Sequence, residues 1–448
     1  MDSASLALAE RSAPRYTSYP TAPHFSKSIG DRETRAWLAS LKSGSSLSLY
    51  FHVPFCTAIC AYCGCHTKAV RQDAPLDSYA QTLQREIALA AQATRARRVA
   101  SIHWGGGTPG ILGASRFTAI VSVLRDHFDL STQTEHAIEL DPRILDGELV
   151  EALAASGVSR ASLGVQDLNA HVQEASGRIQ PYETVARAVR LLHDAGITAN
   201  NLDLMYGLPK QSVEDAARTA ALAASLAPQR LAVFGYAHVP WFKSHQKLID
   251  AAALPGAGAR LAQAAAVRET LESAGFEAIG LDHFGLPDDP LAIAAREKRM
   301  RRNFQGYTID AADALLPFGV SSIGRFPQGY IGNATDLAGW RRAIDAGRFA
   351  TTRGVVFTRE DVARGDLIER LMCDFEIDFG AVAARHGYAQ DVFDAAQASL
   401  DALANDGVID VQGRRLVVTE RGKPFVRLVA AAFDAYLQAA PARHSSAV

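Results

Sequence analysis

The chain has 448 residues, 48% of them hydrophobic, and its formal net charge is −2. It contains no long block of like charge and no apolar stretch of membrane-spanning length, so we expect neither nucleic-acid binding nor membrane insertion. A chain of this size can bury one large core and an appended module, which favours a small-molecule enzyme.

The N-terminal segment reads MDSASLALAERSAPR and lacks the basic and then apolar pattern of a signal peptide. We therefore expect a cytoplasmic protein whose five cysteines remain reduced, because disulfides are uncommon in that compartment. The cysteines then serve packing, metal binding or catalysis.

Short apolar runs alternate with helical patterns over the first half of the chain. The predicted strands are Leu47–Val53, Ala100–Trp104, Ala137–Leu140, Arg160–Val165, Asn201–Tyr206 and Arg230–Tyr236. The predicted helices are Leu76–Gln92, Ser115–His127, Asp146–Ser156, Tyr182–Ala195 and Ser212–Leu226. Apolar strands that alternate with helices are typical of a parallel sheet covered by helices. The pattern predicts an α/β fold with a partial or complete barrel of six strand–helix units.

Four cysteines follow the first predicted strand, as Cys56, Cys60, Cys63 and Cys65. The spacing of the first three, C-x3-C-x2-C, suits a loop that holds an iron–sulfur cluster with three thiolates. Three ligands leave one iron of a four-iron cluster open, and an open coordination position is typical of a reactive metal centre.

Other uses of these cysteines stay open from the spacing alone. A structural zinc site normally has a second pair of cysteines at a distance, and the chain has no such pair. Chance clustering of buried thiols is the remaining alternative. Cys373 stands alone in a helical pattern, and we interpret it as a small buried hydrophobic residue.

Polar residues gather at the carboxyl ends of the predicted strands. They are the Gly105–Pro109 turn, Glu139, Asp141, Gln166, Asp203 and the Ala237-His238 pair. In parallel α/β barrels the loops at this end converge on the active site, so we expect these groups and the cysteines to share one opening. Carboxylates at strand ends also cap helices or loops, which is the alternative for Glu139 and Asp203.

The turn after the second predicted strand reads Gly105-Gly106-Gly107-Thr108-Pro109. Glycines here let a backbone approach a ligand closely and present unobstructed amides and carbonyls, which suits the amino-acid part of a cofactor. A plain tight turn is the alternative. The spacing differs from the G-x-G-x-x-G dinucleotide fingerprint.

Longer motifs point to a family. The cysteine loop, the GGGTP turn and the six-unit alternation resemble the radical S-adenosylmethionine superfamily. Within it, the chain is similar over nearly its whole length to the oxygen-independent coproporphyrinogen III oxidases, also called coproporphyrinogen dehydrogenases. The segments that carry this resemblance are PRYTSYPTA (Pro14–Ala22), LYFHVPFC (Leu49–Cys56), CGC (Cys63–Cys65), IHWGGGTP (Ile102–Pro109), GVQD (Gly164–Asp167), NLDLMYGLPKQ (Asn201–Gln211), YAHVP (Tyr236–Pro240) and RNFQGYT (Arg302–Thr308).

The resemblance implies an enzyme that uses one reduced [4Fe–4S] cluster to cleave S-adenosylmethionine and form a 5′-deoxyadenosyl radical. That radical removes a hydrogen from a propionate of coproporphyrinogen III, after which carbon dioxide and an electron leave and a vinyl group remains. Two propionates react, which gives protoporphyrinogen IX for porphyrin and haem biosynthesis. The cofactors supply the radical chemistry, while the protein positions the reacting groups.

The resemblance also implies roles for individual residues. Cys56, Cys60 and Cys63 would hold the cluster. A first S-adenosylmethionine would contact Tyr50, Gly106, Glu139 and Ile323. A second would contact Tyr62, Gly107, Thr108, Gln166, Arg178, Asp203 and Ala237. These groups offer donors, acceptors and charges that suit a methionine carboxylate, an ammonium group and a ribose.

Two residues near the cluster ligands have open roles. Cys65 is not required as a ligand, and we predict that it takes part in catalysis at the opening of the barrel; a packing role is the alternative. His52, on the first predicted strand, can face either the cluster or the core.

The implied partners are coproporphyrinogen III, a low-potential electron donor such as flavodoxin or ferredoxin, and an electron acceptor; we expect a monomer. The four substrate carboxylates favour basic residues near the opening. The run Arg296–Arg302 is basic, although most such runs form a solvated helix face.

The resemblance divides the chain into three regions. An N-terminal arm over the active site spans residues 1–45, the radical S-adenosylmethionine barrel with its extension spans residues 46–355, and a mainly helical, winged-helix-like domain spans residues 356–448. Tyr330-Ile-Gly-Asn333 departs from the Tyr-Ala-Gln-Asn of many relatives, which puts one side-chain contact in doubt.

A haem-binding chaperone of the same superfamily is the alternative function, and a radical enzyme acting on another tetrapyrrole is a third. Cys65 in its CGC segment, the PRYTSYPTA arm and Arg178 favour the oxidase. The resemblance implies these features for the oxidase and generally not for the chaperone.

Overall fold

Six parallel strands follow one another along the chain, as the alternation predicts. They are β1 (Leu47–Val53), β2 (Arg98–Gly106), β3 (Asp129–Leu140), β4 (Arg160–Gln166), β5 (Ala199–Tyr206) and β6 (Arg230–Gly235). Each pairs in parallel with the next. The structure is a computed structural model that describes residues 3–437; residues 1–2 of the predicted arm and 438–448 of the predicted C-terminal domain lie outside the described residues.

Six further strands extend this sheet on both sides. They are β7 (Glu277–Ile279), β8 (His283–Gly285), β9 (Ala314–Phe318), β10 (Ile323–Phe326), β11 (Gly329–Asn333) and β12 (Thr351–Val356). The order across the sheet is β12-β11-β10-β9-β1-β2-β3-β4-β5-β6-β8-β7. Strand β9 runs parallel to β1, and the remaining added strands pair antiparallel. Within the described residues the two end strands do not pair, so the predicted partial α/β barrel is confirmed.

Helices cover the sheet and form most of the C-terminal region. They are α1 (Ser3–Glu10), α2 (Asp31–Ser40), α3 (Asp73–Ala93), α4 (Gly113–His127), α5 (Gly147–Ala155), α6 (Ala170–Ser176), α7 (Tyr182–Asp194), α8 (Val213–Ala224), α9 (Ala257–Ser273), α10 (Pro290–Arg296), α11 (Leu337–Asp345), α12 (Arg359–Asp374), α13 (Phe379–Arg385), α14 (Gln397–Asn405) and α15 (Val426–Ala431). Across residues 3–437, no helix combines the length and the apolar character needed to cross a lipid bilayer.

Short elements complete the described part of the chain. Small strands pair as Phe55–Cys56 with Lys68–Ala69, and as Arg301–Asn303 with Gly306–Thr308. A three-stranded sheet in the C-terminal region contains Glu376–Asp378, Ile409–Gln412 and Arg415–Val418. The 3-10 helices are Ala22–His24, Pro109–Leu112, Pro142–Ile144, Ser244–Leu248, Ala251–Ala253, Gln390–Ala396 and Lys423–Phe425.

The strands separate an apolar face from a polar one. On β1 and β2, Phe51 stacks on Trp104 with ring centroids 4.2 Å apart, and Trp104 packs against Phe117 of α4. Their neighbours Tyr50 and His103 stack on each other with centroids 5.9 Å apart. Because successive strand residues point to opposite sides, one face packs against helices and the other lines the barrel interior. This interior face carries the polar groups of the site.

Two helices begin one residue later than predicted because their first predicted residue is an N-cap. Asp146 has extended backbone and accepts a hydrogen bond from the Leu149 amide at 2.9 Å. Ser212 likewise accepts from the Asp215 amide at 3.1 Å. Each cap satisfies an amide at the start of its helix, and losing such a cap costs about 1 kcal/mol.

A second buried cluster joins the N-terminal arm to the C-terminal region. It contains Leu8, Tyr16 and Tyr19 together with apolar residues of α12, α13, α14 and α15. The Tyr16 hydroxyl donates to Asp434 Oδ2 at 3.0 Å, and the Tyr19 hydroxyl accepts from the Ala435 amide at 3.1 Å. The arm is therefore part of the C-terminal core.

Candidate metal and cofactor site

The cysteine loop begins just after β1, and its two ends are joined by the short parallel pairing of Phe55–Cys56 with Lys68–Ala69. The Lys68 amide donates to the Pro54 carbonyl at 2.8 Å, and the Val70 amide donates to the Cys56 carbonyl at 2.9 Å. These bonds close the base of the loop. The residues between them have irregular backbone, so other parts of the chain must satisfy their polar groups.

A segment after β6 holds the carbonyl groups of this loop. Gln246 Nε2 donates to the Tyr62 carbonyl at 2.9 Å, and His245 Nε2 donates to the Cys63 carbonyl at 2.7 Å. Lys243 Nζ reaches the Cys65 carbonyl at 2.9 Å. We call Lys243, His245 and Gln246 the carbonyl clamp. No sequence motif predicts this clamp, although its residues follow the YAHVP segment closely.

Helix α6 holds the loop from the other side. The Ala61 amide donates to the Ser176 carbonyl at 3.1 Å. Gly177 ends the helix in the left-handed conformation, with φ of 68°, and the chain then turns so that Arg178 lies beside the loop. Glycine adopts this conformation without the Cβ strain of other residues, which explains its place here.

A cavity of about 170 Å³ lies between the loop and the carboxyl ends of the strands. Twelve predicted site residues line it: Cys56, Cys60, Tyr62, Cys63, Cys65, Gly106, Gly107, Thr108, Glu139, Gln166, Arg178 and Asp203. The lining also includes residues that were not predicted as site residues, among them Thr67, Asp141, Arg143, Ser162 and Gly164. The strand ends and the cysteines thus share one opening.

Three predicted site residues lie outside this lining. Tyr50 stacks on His103, whose Nε2 is 3.0 Å from Glu139 Oε1, so Tyr50 is linked to the cavity wall. Ala237 lines a neighbouring cavity, and its carbonyl accepts from Gln246 Nε2 at 3.3 Å. Ile323 is the first residue of β10, where it pairs with Gly332.

Each of the three predicted ligand sulfurs accepts a hydrogen bond. Thr67 Oγ1 donates to Cys56 Sγ at 3.4 Å, Arg178 Nη1 to Cys60 Sγ at 3.5 Å, and the Cys65 amide to Cys63 Sγ at 3.4 Å. Donors directed at sulfur stabilise the thiolate, which is the form that binds metal.

The thiols differ in acidity. Hydrogen bonding with Cys65 lowers the pKa of Cys63 to about 6, although burial opposes the shift. Burial raises the pKa of Cys56 to about 11. The lowered pKa of Cys63 favours its thiolate, which is the metal-binding form, whereas burial disfavours ionisation of Cys56 unless a cation offsets it.

An ion-pair cluster forms the wall behind Cys60. Arg143 Nη2 lies 2.6 Å from Asp141 Oδ2, and Arg178 Nη2 lies 3.3 Å from Asp141 Oδ1. Burial opposes ionisation of Asp141, but the two arginines hold the pKa of its carboxyl below its usual value. Arg178 Nε is buried and has no hydrogen-bond partner among residues 3–437. The cluster leaves net positive charge beside the cysteines.

The glycine turn packs tightly against the cysteine loop. The Gly107 amide donates to the Val53 carbonyl and the Thr108 amide to the Phe55 carbonyl, both at 2.8 Å. A Cβ at position 107 would overlap the Phe55 carbonyl oxygen. Both amides are used inside the protein, so the expectation of unobstructed glycine amides was wrong for Gly107. What the turn offers a ligand is close backbone approach.

Glu139 and Asp203 stand on the interior face as acceptors. Glu139 Oε2 accepts from the Gly106 amide at 3.3 Å. Asp203 accepts from Ser162 Oγ at 2.9 Å and from Asn201 Nδ2 at 2.7 Å. Burial, and then the charge of Glu139, raise the pKa of Asp203 to about 7. Neither carboxylate caps a helix, whereas Asp141 caps the 3-10 helix that follows it.

Gln166 and His52 have constrained positions. Gln166 has a φ of 69°, a left-handed conformation that is uncommon for residues other than glycine, at an irregularity in the β4–β5 pairing. Buried His52 donates from Nε2 to the His66 carbonyl at 2.9 Å, and its Nδ1 lies 3.1 Å from the Tyr50 hydroxyl. His52 thus braces the end of the cysteine loop.

The cavity fits an iron–sulfur cluster with an anionic organic cofactor. Three hydrogen-bonded thiols on one short loop are the soft ligands that such clusters use. The unpartnered Nε of Arg178 and the close approach of the glycine backbone suit a carboxylate-bearing molecule beside them.

Comparison with known families and proteins gives one consistent result. Residues 50–223 match the profile of the Radical SAM superfamily, and residues 357–425 match that of the HemN C-terminal domain. The chain is 47% identical over 440 residues to an oxygen-independent coproporphyrinogen III oxidase of Bradyrhizobium diazoefficiens, with 98% of each chain covered.

More distant relatives carry the same name. An oxygen-independent coproporphyrinogen III oxidase of Salmonella typhimurium is 40% identical, with 95% of this chain and 93% of that protein covered. The solved structure of coproporphyrinogen III oxidase (HemN) from Escherichia coli, described as a radical SAM enzyme, superimposes with a TM-score of 0.90. It is 37% identical and covers 94% of this chain and 98% of its own.

Proposed function

Because this chain belongs to the oxygen-independent coproporphyrinogen III oxidases of the radical S-adenosylmethionine superfamily, we propose that it oxidatively decarboxylates coproporphyrinogen III. Two propionates become vinyl groups, and the product is protoporphyrinogen IX. The single observation that carries this proposal is the cavity in which three hydrogen-bonded cysteines meet the polar ends of β2, β3, β4 and β5.

Cys56, Cys60 and Cys63 would hold one [4Fe–4S] cluster in this cavity. When bound, the cluster and S-adenosylmethionine supply the electron and the radical that the reaction needs. The carbonyl clamp and helix α6 fix the loop, so the three thiols are presented together. Thr67 and Arg178 donate to two of the sulfurs and stabilise their charge.

Two S-adenosylmethionine molecules per chain are part of the proposal. The first would lie against Tyr50, Gly106, Glu139 and Ile323, and the second against Tyr62, Gly107, Thr108, Gln166, Arg178, Asp203 and Ala237. The positive charge around Arg178 supports a carboxylate-bearing molecule on that side of the loop. Equilibrium dialysis of the cluster-loaded chain gives the number bound. Arg178→Gln should lower it from two to one, and an unchanged value would remove Arg178 from the second site.

The first test is an anaerobic assay of the reconstituted chain with coproporphyrinogen III, S-adenosylmethionine and a low-potential reductant. We expect 5′-deoxyadenosine and protoporphyrin, measured after oxidation, in a ratio near one deoxyadenosine per vinyl group. Cys63→Ala should lose iron and both products, while Cys373→Ala, buried in α12, should keep them. Deoxyadenosine without decarboxylation would indicate another tetrapyrrole substrate.

The haem-binding chaperone is not favoured, because relatives that cover 95% or more of the chain are named oxidases. We infer a monomer in the cytoplasm, which suits five cysteines that are all free. We also infer three functional regions with the predicted bounds 1–45, 46–355 and 356–448. The arm residues Arg15 and Thr17 line the cavity beside β6, which supports a covering role for the first region.

A low-potential protein such as flavodoxin or ferredoxin would donate electrons, and a separate acceptor would take the electron that leaves the substrate. We infer that an acidic donor docks on the outer side of the cysteine loop. Lys68, on this side, is exposed. Burial lowers the pKa of the adjacent His66, and the positive charges of Lys243, Lys68 and Arg353 lower it further. Such a basic surface on a chain of net charge −2 favours an acidic partner.

Lys68→Glu tests this docking surface, because Lys68 is exposed and does not belong to the carbonyl clamp. We expect flavodoxin to reduce the cluster of the variant several-fold more slowly at low salt, with the difference shrinking at high salt. Reduction by dithionite should stay unchanged. An equal rate with flavodoxin at low salt would place the docking site elsewhere.

A further inference from the structure

A cavity of about 520 Å³ lies beside the end of β6, next to the candidate site. Five arginines from four separate parts of the chain line it. Arg15 comes from the arm, Arg260 and Arg268 from α9, Arg302 from the small strand pair and Arg427 from α15. We call this space the arginine cavity, and its volume is within the range of small-molecule sites.

Arg260 and Arg302 have unused hydrogen-bonding capacity. The Arg260 guanidinium lies over the Tyr206 ring at 5.9 Å, and it makes no ion pair or hydrogen bond with residues 3–437. Arg302 lies over the Tyr307 ring at 4.4 Å, and its Nε and Nη1 are buried without a partner in the same part of the chain. Buried guanidinium N–H groups without acceptors are costly, so both arginines favour an anionic ligand.

The acids near the cavity do not balance these charges. Asp282 lines it and offsets part of the charge of Arg302, but its Oδ1 is also 2.7 Å from His283 Nδ1. Glu420 also lines it and pairs with Lys423 at 2.5 Å. Burial, followed by the charge of Arg15, lowers the pKa of Arg427 to about 10. The cavity therefore concentrates positive charge, although the whole chain carries a net charge of −2.

The basic run Arg296–Arg302, which begins at the last residue of α10, is divided between this cavity and the surface. Arg296, Lys298, Arg299 and Arg301 form ion pairs with Glu277, Glu376, Glu297 and Glu369, respectively. Arg302 instead lines the arginine cavity. Most of the run is therefore solvent-exposed, but only Arg296 belongs to a helix, so the expectation of a helix face was wrong beyond that residue.

The arginine cavity reaches the candidate site through the barrel interior. Phe234, His283 and Gln305 line both the arginine cavity and an interior chamber of about 170 Å³. That chamber shares Glu139 and Asp203 with the cysteine cavity. A ligand anchored among the arginines can therefore extend one side towards the cysteines.

We propose that the arginine cavity binds carboxylates of the tetrapyrrole that are not reacting, with Arg260 and Arg302 as the specificity-determining residues. This inference rests on the proposed function. Two of the four substrate propionates stay intact, so they are available as fixed anchors while the other two react in turn. Planar guanidinium groups bind carboxylates with two parallel hydrogen bonds, which fixes orientation as well as charge.

The experiment measures binding of coproporphyrin III, the stable oxidised tetracarboxylate, to the full cluster-loaded chain by fluorescence titration. We expect Arg260→Gln and Arg302→Gln to raise Kd about tenfold each, equivalent to about 1.4 kcal/mol. Arg260→Lys should recover only part of the affinity. Arg296→Gln, from the same basic run but outside the cavity, should bind as the parent chain does.

Turnover and cofactor binding distinguish the possible outcomes. In the glutamine variants KM for coproporphyrinogen should rise more than kcat falls, while iron content and S-adenosylmethionine binding stay unchanged. Unchanged Kd and KM in a chain that still makes protoporphyrinogen would overturn the inference and leave the function intact. Conversely, arginine-dependent binding of coproporphyrin without turnover by the parent chain would uphold the inference and reject the function. Equal affinity for coproporphyrin tetramethyl ester would also overturn the inference.

Discussion

At the scale of single residues, the side chains that define the site were predictable because their chemistry is specific. Three thiols at fixed spacing have few uses, and Glu139, Gln166 and Asp203 follow strands that the apolar runs predict. Lys243 and Gln246 were missed because they bind backbone carbonyls. Every residue of a chain has a carbonyl, so sequence alone does not show which ones need a partner.

The role of Cys65 is tested by removing its thiol without removing a predicted ligand. We expect Cys65→Ser to retain iron and S-adenosylmethionine cleavage but to lose at least tenfold in vinyl formation, because an exposed thiol beside a metal centre can take part in proton transfer. Iron content, deoxyadenosine and protoporphyrin are measured in parallel. If Cys65→Ser forms vinyl groups at the rate of the parent chain and holds a full cluster, Cys65 has no catalytic role and only packs.

At the scale of elements, the six parallel strands were predictable because each contains a short run rich in apolar residues and separated from the next by a helical pattern. Strand β9 was missed. Its sequence, Ala314–Phe318, includes Pro317, and it pairs with β1, more than 250 residues earlier in the chain. A proline weakens the local strand signal, and a pairing over such a separation depends on tertiary packing. The type of an element follows from local sequence, whereas the strand with which it pairs does not.

The carbonyl clamp gives a prediction about the loop as an element. Gln246 is buried and also accepts from the Val239 amide at 2.6 Å. Gln246→Ala leaves buried backbone groups without partners, which costs about 1–3 kcal/mol. We expect faster loss of iron on dilution and lower thermal stability, measured by iron analysis and calorimetry. Lys247→Ala, an exposed neighbour, is the control, and equal iron loss in both variants would contradict the clamp.

Glu86 joins helix α3 to the strands beyond β9. Its carboxyl accepts from the Gly319 amide at 2.7 Å and from Asn333 Nδ2 at 2.9 Å. Burial raises its pKa from 4.5 to about 7. Asn333, the last residue of the Tyr330-Ile-Gly-Asn333 segment, therefore makes a structural contact with Glu86. At the preceding Gly332, a Cβ atom would lie 3.1 Å from Arg353 Nε, so Arg353 occupies the space beside this glycine.

The raised pKa predicts a pH dependence with a definite sign. The folded chain holds the Glu86 proton more tightly than the unfolded chain, so this contribution to stability is complete below pH 4.5 and is lost as the pH rises towards 7. The full change is on the order of 3 kcal/mol. In urea unfolding, the free energy of unfolding should differ less between pH 5 and pH 7 for Glu86→Gln than for the parent chain. Glu151→Gln, an exposed change on α5, should keep the parent difference.

At the scale of the whole molecule, the arm and the C-terminal region share one core. Tyr16→Phe removes the hydrogen bond to buried Asp434, which should lower the free energy of unfolding by about 1–3 kcal/mol. Because Thr17 lines both the arginine cavity and a neighbouring cavity, we also expect a higher KM. Chemical denaturation and steady-state kinetics measure both effects. Tyr182→Phe, whose hydroxyl makes an exposed contact with Ser225, should change neither.

The Tyr16–Asp434 hydrogen bond spans 418 positions of the chain. During synthesis the arm emerges first and has no core to join until the C-terminal helices have left the ribosome. Arg15 and Arg427, which line the same cavity, meet only at that point. Contacts of such separation form late, since loop closure must precede them. A nascent chain that has not yet released α15 from the ribosome therefore has an incomplete arginine cavity, so the assembly of this cavity waits for a late step of synthesis.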